Sequence, residues 1–276
     1  PKHPEAISQY VIKQRWIYGI FILLLLLGMV LGVALVVRDM SRERKLAQLR
    51  NDFVSNVTHE LKTPLTSIRM FAETMLMGRA KNTSDQREYL SAIVNESDKL
   101  TRLINTVLDS SKIEQEEKQY HMRTINLSTV VEKAVDAMTY WLREDGFVIV
   151  VDIEKEITIT GDEDALEQTM NNLLSNAMKY SHNRKEITVR LYGKDGIARV
   201  EVQDRGLGIP ESKQPHIFEK YYRAHSGHSA DKGGSGLGLS VVKHIVDAHQ
   251  GTIELKSRVN EGTTFTIIFP QTVKGS

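Results

Sequence analysis

The sequence predicts a membrane-anchored chain of several parts: a transmembrane helix, an α-helical hairpin that pairs with a second copy into a dimeric four-helix bundle, and an α+β sandwich. Three observations predict it. An uninterrupted apolar run lies near the N-terminus, two apolar stripes at helical spacing follow it, and the remainder alternates strand-like with helix-like patterns. The 276 residues suffice for more than one folded unit. Composition adds exclusions. Lys+Arg 36 against Asp+Glu 35 leaves a net charge of +1, too little field to collect nucleic acid, so no nucleic-acid partner is expected. Cys 0 removes disulfide scaffolds, cysteine-ligated zinc and cysteine nucleophiles.

Trp16 to Val37 reads WIYGIFILLLLLGMVLGVALVV, 22 residues without a charge. At ~1.5 Å per residue this helix covers about 33 Å, enough for a hydrocarbon core of ~30 Å. Trp16 and Tyr18 stand where aromatic rings favour the interface, and Lys13, Arg15 and Arg38 bracket the run. Core helices are rarely apolar all round for so long. A signal peptide is disfavoured because the run exceeds ~7–15 residues and no small-x-small cleavage site follows. Residues 16–37 are therefore expected to span a membrane and contact its lipid. Residues 38–50 carry five basic side chains and residues 1–15 carry three, which places residues 38–276 in the cytoplasm. Residues 1–15, beginning at Pro1, read as the remnant of a preceding extracytoplasmic region of a longer protein.

Residues 38–115 carry the hairpin. Leu46, Leu49, Phe53, Val57, Leu61, Ile68, Phe71 and Met75 step by three or four, with Pro64 in an apolar slot. GRAKNTS, Gly78 to Ser84, supplies turn and N-cap chemistry. A second stripe runs through Leu90, Val94, Leu100, Leu103, Val107, Leu108 and Ile113. Two antiparallel helices alone cannot bury both stripes, whereas two hairpins packed at roughly 20° can, so a homodimer is expected. With a continuous helix His59 lies about 33 Å beyond the span, and movement of the span can reach it.

Residues 116–124 are charged and read as a linker; residues 125–272 form the sandwich, and residues 273–276 a tail. Helices are expected over Leu127–Arg143, Asp162–Tyr180 and Leu237–His249. Strands are expected at Phe147–Ile153, Ile157–Thr160, Thr252–Val259 and Thr264–Phe269, with a hairpin over Glu186–Asp204 turning at Lys194–Gly196. Helices on one face of a mostly antiparallel sheet complete the domain.

Several short segments carry chemistry. HELKTPL (His59–Leu65) lies on the first bundle helix; Thr63 stands where a zinc-protease HExxH needs its second histidine. Pro64 removes the helical hydrogen bond to the Glu60 carbonyl. DRGLGIP (Asp204–Pro210) ends a strand, and GGSGLGLS (Gly233–Ser240) opens a helix. The latter sets backbone N–H groups and a positive helix end where phosphates can lie, and Gly236 and Gly238 lack the Cβ that would block them. Neither the Rossmann spacing nor a Walker GK[ST] is present. Ile217–Gly236 has a polar second half suited to a lid, in which His225 and His228 read as solvated residues rather than metal ligands.

In their order these segments resemble the transmitter region of bacterial sensor histidine kinases. HELKTPL resembles the phospho-acceptor box, NNLLSNAMKYS (Asn171–Ser181) the N box, and DRGLGIP and GGSGLGLS the glycine boxes. IFEKYYR (Ile217–Arg223) resembles the F box and GTTF (Gly262–Phe265) a last glycine box, so the resemblance covers residues 46–272. It implies that the sandwich is an ATP-binding domain of the gyrase, chaperone and histidine-kinase type. It also implies a bacterial inner (cytoplasmic) membrane location and, as partner, the receiver domain of a response regulator.

By the same resemblance, His59 attacks the γ-phosphorus of ATP while Glu60 accepts the Nδ1–H hydrogen bond and acts as base. An unperturbed imidazole, with a pKa near ~6.5, is substantially neutral at pH 7. Thr63 orients water for dephosphorylating the regulator. Asn176 holds Mg²⁺ through its amide oxygen, and Lys179 and Arg223 neutralise phosphate charge. Asp204 accepts the adenine amino group, Gly206 and Gly208 let the base approach, and Tyr180 and Tyr222 line the nucleotide. Asn172, Ile209, Gly234, Ser235, Gly236, Leu237, Gly238, Leu239 and Thr264 complete the nucleotide-binding set, while Phe218 reads as core.

Two other readings compete. A gyrase-type ATPase needs a general-base glutamate four residues before the Mg²⁺-binding Asn, and Asn172 stands there. A membrane scaffold that binds ATP without transferring it would have no need of the reactive residue that every box retains. The chain departs from the family pattern at Tyr221, where Phe is also usual, and leaves no room for a HAMP module between Val37 and Leu46.

Overall fold

A computed structural model describes residues 4–80, 82–181, 184–224 and 235–272. The chain divides into two compact units, Pro1–Asp52 and Phe53–Ser276. The first is a length of helix α1 (Pro4–Leu76). It is long and apolar enough to cross a membrane. Leu23 to Leu27, Met29, Val30 and Leu31 are all exposed, the all-round apolar surface that lipid tolerates and water does not.

The second unit opens with the rest of α1 and with α2 (Thr83–Glu114). The chain leaves α1 through Gly78 at φ +66, and Asn82 caps α2 by accepting from the Asp85 N–H at 2.7 Å. Phe71 stacks on Tyr89 across the hairpin with ring centroids 5.6 Å apart. Helix α1 continues through a buried Pro64. Val54 and Leu65 on α1, and Leu90, Val94, Ile104 and Leu108 on α2, remain exposed.

The sandwich follows: β1 (Arg123–Asn126), α3 (Leu127–Glu144), β2 (Val148–Ile153), β3 (Thr158–Gly161), α4 (Glu163–Tyr180), β4 (Glu186–Lys194), β5 (Ile197–Asp204), a 3₁₀ turn (Glu211–His216), α5 (Gly238–Ala248), β6 (Thr252–Arg258) and β7 (Gly262–Pro270). Five strands form one sheet in the order β2-β4-β5-β7-β6, all neighbours antiparallel except β2 and β4. The apolar faces of α3 (Val130, Val131, Ala134), α4 (Leu166, Leu173, Leu174) and α5 (Val242, Ile245, Val246) share one core with Ile187, Val189, Val200, Val202 and Ile267 of the sheet. The β4–β5 hairpin turns at Asp195 (φ 54) and Gly196 (φ 74), the two left-handed positions of a tight primed turn.

Two features differ from the sequence expectation. Strand β1 begins at Arg123, inside the stretch read as linker, and pairs antiparallel with β3 from Arg123↔Gly161 to Asn126↔Thr158. Its four residues bury only Ile125, too short a run for a period-2 signal. The segment around Thr158 accordingly leaves the main sheet, while β2 joins it by parallel pairing with β4.

Candidate active site

Helix α4 supplies the site's spine. Asp162 caps it, its carboxylate accepting from the N–H groups of Ala165 (3.1 Å) and His121 (2.8 Å). Burial pushes this carboxyl up, but those backbone donors outweigh it and hold it below the ordinary carboxylate range. Ala165, Leu166, Thr169, Met170, Leu173, Leu174 and Ala177 form the buried face. Asn172, Asn176 and Lys179, spaced four and three residues apart, share a neighbouring face and line an open cleft between hairpin and sandwich. At about 2130 Å³ the cleft exceeds the ~300–1,000 Å³ of a single ligand site. Asn172, Asn176, Asp204, Gly208 and Thr263 line its sandwich side, hereafter the pocket.

Asp204 enters the pocket by strand alternation. The period that buries Ala198, Val200 and Val202 along β5 also buries the carboxylate at the strand's end. Its Oδ1 accepts from the N–H of Gly206 (2.7 Å) and, more weakly, of Thr263 (3.3 Å), leaving Oδ2 out of both bonds. Burial pushes this carboxyl up to about 6 against those two donors.

Helix α5 opens toward the same pocket. Its N-cap, Leu237, gives no side-chain hydrogen bond, so the first-turn N–H groups keep their donor capacity and the positive helix end. The Asn172 amide nitrogen is buried beside this terminus without a hydrogen-bond partner, as is the Ser181 hydroxyl on the same cleft. A Cβ on Gly238 would sit 3.3 Å from Asn172 Oδ1. Unpartnered buried donors are costly alone, and a phosphate-bearing ligand would satisfy them.

The fourth component comes from α1. Glu60 is half-buried against the cleft. Burial raises its pKa, while the charges of Lys179, Arg223 and His59 and the Ser235 backbone N–H pull it back. Lys179 is in turn lowered to about 8, chiefly by burial. Phe53 meets Tyr221 with ring centroids 4.6 Å apart. Residues of HELKTPL and of the phosphate-facing helix ends thus converge.

Two domain descriptions fit these halves: residues 49–116 match the His Kinase A (phospho-acceptor) domain, and residues 161–273 match the histidine kinase-, DNA gyrase B- and HSP90-like ATPase. The chain belongs to the sensor histidine kinases. It is 35% identical over 247 residues to drug sensory protein A of Synechocystis sp., a match covering 85% of this chain and 37% of that protein. It is 32% identical over 246 residues to sensor protein kinase WalK of Staphylococcus aureus, covering 88% of this chain and 59% of that one. The chain therefore spans less than two thirds of the length of either relative. Its fold resembles that of histidine kinase AdeS from Acinetobacter baumannii, with a TM-score of 0.54 at 23% identity over 78% of this chain and 98% of that one.

Within this histidine kinase, the residues named from the sequence divide. Asn172, Asn176, Lys179, Tyr180, Asp204, Gly208, Ile209, Tyr222, Arg223, Ser235, Gly236, Gly238, Leu239 and Glu60 all line the cleft. Gly206 and Leu237 lie behind its wall; Leu237 is 1% exposed. Thr264 is not among the lining residues: it stands opposite Gln203 in the sheet, while Thr263 stands opposite Asp204 and lines the pocket. A step of one residue along a strand reverses the face. Gly206 and Gly208 are also required by the backbone packed against them. A Cβ would fall 2.3 Å from the Tyr180 carbonyl oxygen at Gly206 and 1.9 Å from that of Arg258 at Gly208. Gly236 (φ +71) likewise meets the backbone of Tyr221 at 2.9 Å.

His59 is exposed, and its carbonyl accepts from the Thr63 hydroxyl at 3.1 Å. Phe218 packs on the core, edge to face with Phe265. Gly234, His225, His228 and the polar half of the expected lid lie outside the described residues. Asp109, Lys118 and Gln168, which tie α2 to α4, carried no sequence signal: each is a common surface residue with no period or motif.

Proposed function

We propose that this chain is an ATP-dependent protein-histidine kinase that phosphorylates His59 and passes the group to an aspartate of a response-regulator receiver domain. The observation that carries this reading is the convergence of Glu60 with Lys179, Arg223 and the Ser235 N–H at the mouth of the Asn172–Asp204 pocket. Neutral His59 attacks through Nε2, forming the N–P bond as the bond to ADP breaks. Glu60 takes up the Nδ1 proton's hydrogen bond and then the proton. The raised pKa of Glu60 suits a group that must take up a proton. Lys179 and Arg223 offset the phosphate charge, which together with positioning is the main protein contribution to phosphoryl transfer. Asp204 receives the adenine amino group.

The residues present suit Mg²⁺ bound through the substrate. Among the described residues no group of three His, Cys, Asp or Glu is placed to hold a metal. The neutral Asn176 amide oxygen fits an ion held mostly by phosphates and water. Mg²⁺, when bound, would neutralise charge on the phosphate oxygens. The exposed apolar residues of α1 and α2 fit a homodimeric bundle, and residues 16–37 fit an anchor in the inner membrane with residues 38–276 in the cytoplasm. Thr63 is assigned to orient water in dephosphorylating the regulator; Thr63→Ala should lose that activity while autophosphorylation persists.

The test is incubation of the detergent-solubilised chain with Mg²⁺ and γ-labelled ATP beside His59→Gln and Asn176→Asp. Base-stable, acid-labile label on the wild type alone supports the kinase. Label retained on His59→Gln would overturn it, and steady ATP hydrolysis that survives His59→Gln would favour an ATPase.

A further inference from the structure

Phe53 and Glu60 are seven residues apart on α1, nearly two full turns, so they share one helix face. That face meets the sandwich of the same chain at two points, the Phe53–Tyr221 ring contact and the cationic mouth around Glu60. Tyr221 is held at φ 67 with its N–H donating to the Gly236 carbonyl at 3.1 Å. A left-handed tyrosine is strained and persists only where its surroundings enforce it. The strain here sits at the contact with α1.

A second anchor lies at the far end of the hairpin. Asp109 of α2 accepts from Lys118 Nζ at 2.5 Å and from Gln168 Nε2 of α4 at 2.8 Å. These groups are mostly buried: the Lys118 and Asp109 side chains are only 21% and 15% exposed. Two residues on, the Tyr120 hydroxyl pairs with His244 Nδ1 of α5 at 2.9 Å. Only residues 115–122 separate α2 from β1. Eight residues reach at most about 28 Å when fully extended, and this clasp shortens them further. Leu90, Val94, Ile104 and Leu108 stay exposed while both anchors are made, which leaves apolar surface on α2 for a second copy.

Resting on the kinase reading above, we propose that phosphoryl transfer is intramolecular: each protomer's sandwich phosphorylates its own His59, held to its own α1 by the Phe53–Tyr221 contact and to its own α2 by the Asp109 clasp. His59 precedes Glu60 by one residue, about 100° round the helix. Rotation of α1 by that order presents the imidazole where Glu60 now stands. Serving a second copy's histidine would mean giving up the Phe53–Tyr221 contact with the chain's own α1.

The experiment uses two differently tagged full chains, co-expressed and purified through both tags so that only heterodimers remain, then incubated with Mg²⁺ and γ-labelled ATP. One heterodimer pairs His59→Gln with Asn176→Asp. The other pairs wild type with the His59→Gln, Asn176→Asp double variant. Intramolecular transfer predicts no label on the first and, for independent sites, about half the wild-type homodimer's label on the second. The opposite pattern, label on the Asn176→Asp protomer of the first and none on the second, would overturn the proposal while leaving the kinase reading intact. Absence of label on the wild-type homodimer would overturn both.

Discussion

Replacing Asp204 by Asn should make this kinase more stable and worse at binding nucleotide. The carboxyl is buried, and its pKa rises from 3.8 to about 6. A folded value above the unfolded one means that the native state holds the proton more tightly. The contribution of Asp204 is therefore most favourable below pH 3.8 and is lost as pH rises through about 6. At pH 8 the ionised group costs about 3 kcal/mol, two pH units at ~1.4 kcal/mol each. Asn keeps an Oδ1 that can accept from Gly206 and Thr263 and carries no charge. The variant should gain up to about 3 kcal/mol at pH 8, or roughly 6–12 °C for a unit of this size. The gain should shrink to about 1 kcal/mol at pH 4.5. Calorimetry of the detergent-solubilised chain at both pH values reads the difference, and nucleotide titration should show weakened binding. A lower Tm at pH 8, or an equal gain at both pH values, would refute the reasoning, because the backbone donors would then outweigh the cost of burial.

Three further outcomes are expected. Gly208→Ala puts a Cβ 1.9 Å from the Arg258 carbonyl oxygen at φ +65, and backbone cannot yield as a side chain can. A loss of about 3 kcal/mol or more should appear in the denaturant midpoint. His249 donates from Nδ1 to the Ile245 carbonyl at 2.7 Å and accepts the Asp162 N–H at Nε2 at 2.9 Å, so it is bound as the neutral ring. Burial lowers its pKa below 6.5. Its stabilising contribution is present above pH 6.5 and lost as pH falls below it, with a slope of at most ~1.4 kcal/mol per pH unit. His249→Gln should flatten that slope between pH 5 and 7 in denaturant titrations. Asn172→Ala removes an amide nitrogen that has no partner. Stability should change by less than about 1 kcal/mol while nucleotide affinity, read by calorimetric titration, falls tenfold or more.

Motif and period made much of this arrangement readable. The stripe Leu166–Leu173–Leu174 carried Asn172, Asn176 and Lys179 to one side of α4, and the alternation of β5 carried Asp204 inward. Boundaries of α2, α4 and the β4–β5 hairpin followed from Asn82, Asp162 and the Asp195–Gly196 turn. What escaped was non-local. The choice of Thr263 over Thr264 depends on register across β5 and β7, and the parallel pairing of β2 depends on where α3 lets the chain return. The close approach of the Tyr180 and Arg258 carbonyls to Gly206 and Gly208 is announced by no neighbour in sequence. The Asp109 clasp joins residues 59 positions apart.

The parallel seam between β2 and β4 has a kinetic consequence. The β4–β5 hairpin closes across a two-residue turn, and β6 and β7 meet through a similarly short connection. Strand β2 finds Glu186 from Val148 only after β3 and α4 have been threaded between them. Closing that loop, and the still larger one between β5 and β7, costs more entropy than either hairpin before any contact repays it. As the sheet's edge, β2 is also held from one side alone. The β4–β5 and β6–β7 hairpins should therefore form first and the β2–β4 and β5–β7 seams later. In the native protein the amides of the edge strand Val148–Ile153 should exchange with deuterium early among the sheet strands. The Asp204–Thr263 pair that walls the nucleotide pocket lies in the seam of longer sequence separation, so that wall is completed late.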